Sequence, residues 1–162
     1  MLNKLIDTLE QEIVLYKDFL SLLQEEKKLL CSRKSGDLYR LAGRIETQVF
    51  KIKGMERKRN EIVDAIARMY ALNGNAAGLS PAINLSGIIT AAEKPHKELL
   101  KCLQSRLLAV VNSIKELNQE NGIIINRSME NINKAFMFIK EFSLVKTYHS
   151  SGMIADPSSR GM

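Results

Sequence analysis

Apolar residues recur along this chain at steps of three and four, in three long series. The first comprises Leu2, Ile6, Leu9, Ile13, Tyr16, Leu20, Leu23 and Leu30, interrupted by Lys27. The second runs through Leu38, Leu41, Ile45, Gln48, Ile52, Met55, Arg59, Ile62, Ile66 and Met69. The third comprises Leu100, Leu103, Leu107, Val110, Ile114, Leu117, Asn121, Ile124 and Ser128. A helix turns once in about 3.6 residues, so such steps lay one stripe along one face. A mean step of about 3.5 residues held over several heptads predicts coiled-coil-like packing. Val49, Val63, Leu99 and Leu108 widen the stripes, as a bundle of three or more helices requires. No strand alternation competes. The expected fold class is all-α: an antiparallel bundle of three long helices plus one short helix, followed by a flexible C-terminal tail.

The breaks between the series are legible as well. Ser32–Asp37 reads as a short turn, with Ser35 or Asp37 able to cap the second helix, and a loop that short sets the first two helices antiparallel. Asn73–Pro81 holds three asparagine or proline breakers and two glycines, and reads as a linker. Ser86 is placed to cap a short helix over Gly87–Glu93, and Pro95 fits the first turn of the third long helix. That helix is expected to run to about Phe142, a length of about 72 Å at 1.5 Å per residue, with Gly122 marking a bend. The bundle domain is assigned to residues 1–145 and the flexible tail to 146–162. Ser150–Met162 in particular is rich in Ser, Gly and Pro and poor in large apolar groups.

The last helix carries more apolar side chain than one packed face needs. Ile124, Ala135, Ile139 and Phe142 make one row. Ile125, Met129, Ile132 and Phe136 make a second beside it, and Phe138 and Val145 face elsewhere again. A bundle helix buries a stripe about 100° wide. The surplus is either covered by another element or a second subunit, or it is an open surface. Contiguous exposed apolar surface marks binding sites, and flexible Met with large aromatics suits a groove for a partner helix.

Composition narrows the alternatives. At 162 residues the chain is long enough for one domain with a real core. No apolar run reaches the roughly 18 residues of a membrane span. The N-terminus, Met1–Asp7, has no long apolar stretch or small-residue cleavage site, so it does not read as a secretory signal, and cytoplasmic residence is the expectation. Cys31 and Cys102 match no metal or redox spacing and are expected as free, mostly buried thiols. His96 and His149 lie at no ligand spacing from a Cys or from each other, and no Gly-rich loop follows a strand. Glu10 with Glu12, and Glu25 with Glu26, do not share a helix face as a catalytic pair would, and read as solvated surface. The expectation is therefore no catalytic residue, no metal, no cofactor and no enzyme.

The net charge of +6 is uneven. Residues 1–31 carry four Lys against six acids, residues 32–92 ten basic against five acidic residues, and residues 93–162 ten against seven. The positive excess centres on Lys51–Arg59. A basic helical rim can grip nucleic-acid phosphates. Mixed signs are also normal on helix surfaces, Arg57 and Glu61 stand at i,i+4 spacing, and Arg59 falls on the seam, where its stem is expected to pack and its head to reach water. Nucleic acid is not the expected partner, although a helical nucleic-acid binder stands as an alternative, as does a structural coiled-coil adaptor in which the surplus apolar surface pairs with a second copy.

One stretch carries a resemblance. Leu117–Ile125 holds Asn118-x-x-Asn121 midway along the long last helix, and Thr147-Tyr148-x-x-x-Gly152 follows. With the amphipathic first helix containing Leu9–Glu12, Lys58–Glu61 in the second and Pro95 before the third, nearly the whole chain resembles the FlgN-type flagellar export chaperones. The resemblance implies a small cytoplasmic chaperone for type III flagellar export that hydrolyses nothing. Its partners would be hook-associated proteins of the FlgK and FlgL type, at the hook–filament junction, bound through their C-terminal segments, and the flagellar export apparatus. The family binds its substrate towards the C-terminal end, where the surplus apolar surface lies. The expected partner-binding residues are Ile125, Met129, Ile132, Phe136, Ile139 and Phe142, and the resemblance adds Tyr148 as a contact to the export gate.

Overall fold

The three apolar series fold as the three long helices they predict. The computed structural model describes residues 1–32, 35–72 and 85–152, and the side chains of all of these except 35, 70–72 and 142–152. Four helices cover them: α1 (Leu2–Ser32), α2 (Ser35–Leu72), α3 (Leu85–Ala91) and α4 (His96–Gly152). Among the described residues no strand occurs. The expected linker at Asn73–Pro81 lies outside the described residues. So do residues 153–162 of the expected tail, whose earlier part, 146–152, belongs to α4.

The chain divides into two compact units, Met1–Asn121 and Gly122–Met162. In the first, side-chain pairing fixes helix direction. As the α1 partner advances from Glu12 through Tyr16 to Glu25, its α2 partner falls back from Arg59 through Glu56 to Arg44. The two helices are therefore antiparallel. Between α1 and α4 the pairs Asn3–His96 and Lys27–Glu120 are both 93 positions apart, so these two run parallel and in constant register. The unit is an up-down-up bundle.

Its main core gathers Leu5, Ile6, Leu9 and Ile13 of α1, Ile62, Val63 and Ile66 of α2, Ile88 and Ile89 of α3, and Leu100 and Leu103 of α4. Leu5, Leu9, Leu100 and Leu103 are wholly buried. Full burial of each such side chain stabilises the fold by about 1.5–3 kcal/mol. The short helix α3 supplies Ile88 and Ile89 to this core; the amide of Ala92 closes its last turn on the Ile88 carbonyl at 2.9 Å. Pro95 then stands immediately before α4, where a missing N–H costs nothing, and its carbonyl accepts from the Leu99 amide at 3.3 Å.

Two expected boundaries shift. The short helix spans Leu85–Ala91 rather than Gly87–Glu93, so Ser86 lies inside it instead of capping it; its hydroxyl accepts a hydrogen bond from Gln104 at 3.0 Å. Helix α4 continues to Gly152, ten residues beyond Phe142. Neither Pro nor Gly occurs between Ser143 and Ser151, so nothing in that stretch breaks the helix.

The polar residues that interrupt the seams are the second organising feature of the bundle. Gln48 is buried and its Nε2 donates to the Leu15 carbonyl at 2.8 Å. Arg59 donates to Glu12 at 2.6 Å, and Lys27 to Glu120 at 2.7 Å. Asn121 is buried, and its Nδ2 donates to the Leu23 carbonyl at 3.0 Å and to Glu26 at 2.7 Å. Every one of these bonds joins α1 to a neighbour. Polar groups at seam positions are satisfied in one register only, so they specify how the helices align.

Candidate functional site: the apolar face of the second unit

Among its described residues the unit beginning at Gly122 contains a single helical segment, the second part of α4. Among the described residues this helix has no second element in its own unit against which to bury apolar side chains. Ile125, Met129, Ile132, Phe136 and Ile139 are 40–67% exposed. At about 100° per residue these five fall within a stripe about 80° wide, and they span about 21 Å along the axis. Phe142 takes a register position about 60° outside that stripe, in the neighbouring row with Ile124 and Ala135. Its side chain and that of Tyr148 lie outside the described residues. Ile123, Met137 and Phe138 are also exposed, on other sides of the same segment. The charged residues between them, among them Arg127, Glu130, Lys134 and Glu141, are exposed and of mixed sign.

The other candidate chemistry resolves into structure. Glu12 was expected on a solvated surface, yet it is fully buried, with Oε1 on Arg59 and Oε2 without a partner. Burial pushes its carboxyl above the usual range, against the lowering influence of the Arg59 guanidinium. Tyr16 donates to Glu56 at 2.6 Å, and burial followed by that carboxylate drives its phenol well above its ordinary value. Perturbed groups of this kind mark catalytic sites or structural ion-pair networks. Here Glu12 and Glu56 both stand in bonds that tie α1 to α2, and Glu12 is sealed from solvent. Sequence reasoning missed the network because its bonded members lie 40 and 47 positions apart; the one signal available was Arg59 on the seam, which calls for a carboxylate opposite.

Arg59 does not send its head to water as expected. It turns inward to Glu12, leaving Lys51, Lys53, Arg57 and Lys58 as the exposed basic residues of Lys51–Arg59. Both cysteines are exposed rather than buried. Cys102 sits about 130° from the middle of the Leu100–Leu103–Leu107 seam, and Cys31 lies past Leu23, the last buried residue of α1. Among the described residues no group of three His, Cys, Asp or Glu side chains is placed to hold a metal ion, and no helix is long and apolar enough to cross a membrane.

These features define an all-α bundle protein whose last helix carries an exposed apolar face and whose buried polar groups serve packing. A family model described as FlgN protein matches residues 1–155, and the chain belongs to that family, one of flagellar export chaperones. The resemblance read from Leu117–Ile125 and Thr147–Gly152 is thereby borne out. No curated protein and no solved structure matches the chain.

Proposed function

We propose that this chain is a cytoplasmic chaperone of type III flagellar export that captures the C-terminal segments of hook-associated proteins of the FlgK and FlgL type. Capture keeps them from assembling early, and the complex then delivers them to the export apparatus. The docking row is Ile125, Met129, Ile132, Phe136, Ile139 and Phe142, with Tyr148 as the contact to the export gate. The role requires no catalytic residue, metal or cofactor. The observation that carries the reading is that Ile125, Met129, Ile132, Phe136 and Ile139 stand exposed along one helical stripe. An amphipathic segment laid along such a stripe buries its own apolar face in return.

Co-elution on a sizing column tests it, with the C-terminal segment of a hook-associated protein and two forms of the chain, full length and ending at Phe142. A stable complex with both places capture on the helix. A complex with the full chain alone moves capture to residues after 142. No complex at tens of micromolar, together with concentration-dependent self-association in sedimentation, replaces the chaperone reading with a self-pairing coiled-coil adaptor.

A further inference from the structure

The chain holds two Asn-Gly pairs, Asn73–Gly74 and Asn121–Gly122, and the second falls inside α4 at its contact with α1. Asn-Gly is the dipeptide most prone to deamidation, because glycine carries no side chain to shield its amide nitrogen from the neighbouring carboxamide. Packing explains the asparagine but not the glycine. Asn121 is 1% exposed and bonds to α1 through its side-chain amide. Gly122 weakens the helix relative to alanine, and a Cβ at that position would meet nothing within 4 Å. What the pair does share is a chemistry.

In that reaction the Gly122 amide nitrogen bonds to Asn121 Cγ and gives up its proton, and Nδ2 departs as ammonia. The product is a succinimide ring. Water then opens the ring, leaving aspartate when it attacks at Cγ and isoaspartate when it attacks the main-chain carbonyl. The net change is one water taken up and one ammonia released, with nothing oxidised or reduced. The closed bundle holds both reacting groups back. The Gly122 amide serves the helix ladder. The departing Nδ2 is the atom that donates to the Leu23 carbonyl at 3.0 Å and to Glu26 at 2.7 Å, while Oδ1 has no partner. We infer that Asn121–Gly122 is a deamidation site gated by the α1–α4 contact, protected while Asn121 is bonded and reactive when this stretch of α4 opens. The product cannot close as before. Either acid lacks both donors and sets a carboxylate against Glu26, and the adjacent Glu120 already occupies Lys27. Isoaspartate also lengthens the main chain and breaks the ladder of α4. The modification is a one-way loosening of the residue that fixes the register of the two helices.

Deamidation is slow beside local opening, so its rate follows the fraction of chains in which the contact is open. The full chain is aged under native conditions at mildly alkaline pH. The peptide containing Asn121 is followed by mass spectrometry, and isoaspartate is read with an isoaspartyl methyltransferase. Two variants, each shown by circular dichroism to be folded, are aged beside it. Glu26→Ala removes one acceptor of the Asn121 amide, and Leu100→Ala lowers global stability without touching the contact. The expected result is acid at position 121 in the wild-type chain, forming about tenfold faster or more in Glu26→Ala and no faster in Leu100→Ala. Asn121→Asp, which carries the product from the start, is expected to show quickened amide exchange along Leu107–Leu117. Overturning results are no acid at 121 in the native chain while the same chain in urea forms it at both Asn-Gly pairs, or a rate unchanged by Glu26→Ala. Equal acceleration by Leu100→Ala overturns the gate, since it assigns the reaction to global unfolding. Wild-type exchange in Asn121→Asp overturns the loosening.

Discussion

At the scale of single residues, the Glu12–Arg59 pair holds the most stored consequence. Burial already raises the Glu12 carboxyl, and Arg59 is the influence that restrains the rise. A folded state that binds this proton more readily than the unfolded chain is favoured below the ordinary carboxylate range, and its advantage is lost as pH climbs through the raised folded value. Arg59→Met strips the restraint and leaves a buried carboxylate unpaired, so it should cost about 2–4 kcal/mol at pH 7.5. The same variant should recover much of that loss at pH 5, because protonation removes the charge. Glu12→Gln discards the charge instead and should cost less than Arg59→Met at pH 7.5, with a flatter pH profile. Urea unfolding of the three proteins at both pH values checks this; equal losses for Arg59→Met at the two pH values would refute it. Nothing in the local sequence around Glu12 announced any of this. Its surroundings, Gln11 and Ile13, read the same on a solvated helix, and only the antiparallel return of α2 brings Arg59 within 2.6 Å.

At the scale of elements, Asn121 shows what a polar seam residue does. It is the last residue of the first unit, and its amide bridges the Leu23 carbonyl and Glu26 across the parallel α1–α4 contact. Asn121→Ala removes both bonds and leaves a gap, at a cost of about 1–3 kcal/mol. Asn121→Leu fills the gap and disposes of an Oδ1 that has no partner. Because the Leu23 carbonyl keeps its own helical bond, this variant should lie within about 1 kcal/mol of wild type. What it should lose is register: amide exchange along Leu107–Leu117 should quicken although the denaturation midpoint holds. A Leu variant as unstable as the Ala variant would show that the bonds, and not the volume, hold the helices. Elements were the most legible level of this chain. The three- and four-residue steps placed all three long helices, because burial of one stripe leaves a periodic trace. Ends were less legible. Ser86 has the chemistry of a cap, but apolar Leu85 packs against the core and carries the helix start two residues earlier.

At the scale of the whole molecule, the two units ask different things of the same apolar residue types. Leu100 in the first unit is wholly buried, whereas Phe136 in the second is 67% exposed. The sequence showed an excess of apolar residues after Ile123, but periodicity alone does not separate a buried row from an open one, since both satisfy the same steps. Stability and binding measured on the same variants separate them. Leu100→Ala opens a cavity and should cost about 2–5 kcal/mol of folding stability. Met129→Asp with Phe136→Asp touches side chains that support no core, so together they should cost less than about 1 kcal/mol, mostly from the poorer helix propensity of Asp. Capture should respond in the opposite order. Burial of an exposed Phe or Met contributes about 1.5–3 kcal/mol each, so losing both should weaken binding of a hook-associated C-terminal segment by about 100-fold or more. Leu100→Ala, assayed where it is still folded, should bind within a few-fold of wild type. Titration calorimetry with that segment, beside urea unfolding of each variant, reads both quantities. If the double Asp variant instead unfolds as readily as Leu100→Ala, the row on α4 is core, and the capture surface must be sought elsewhere on the chain.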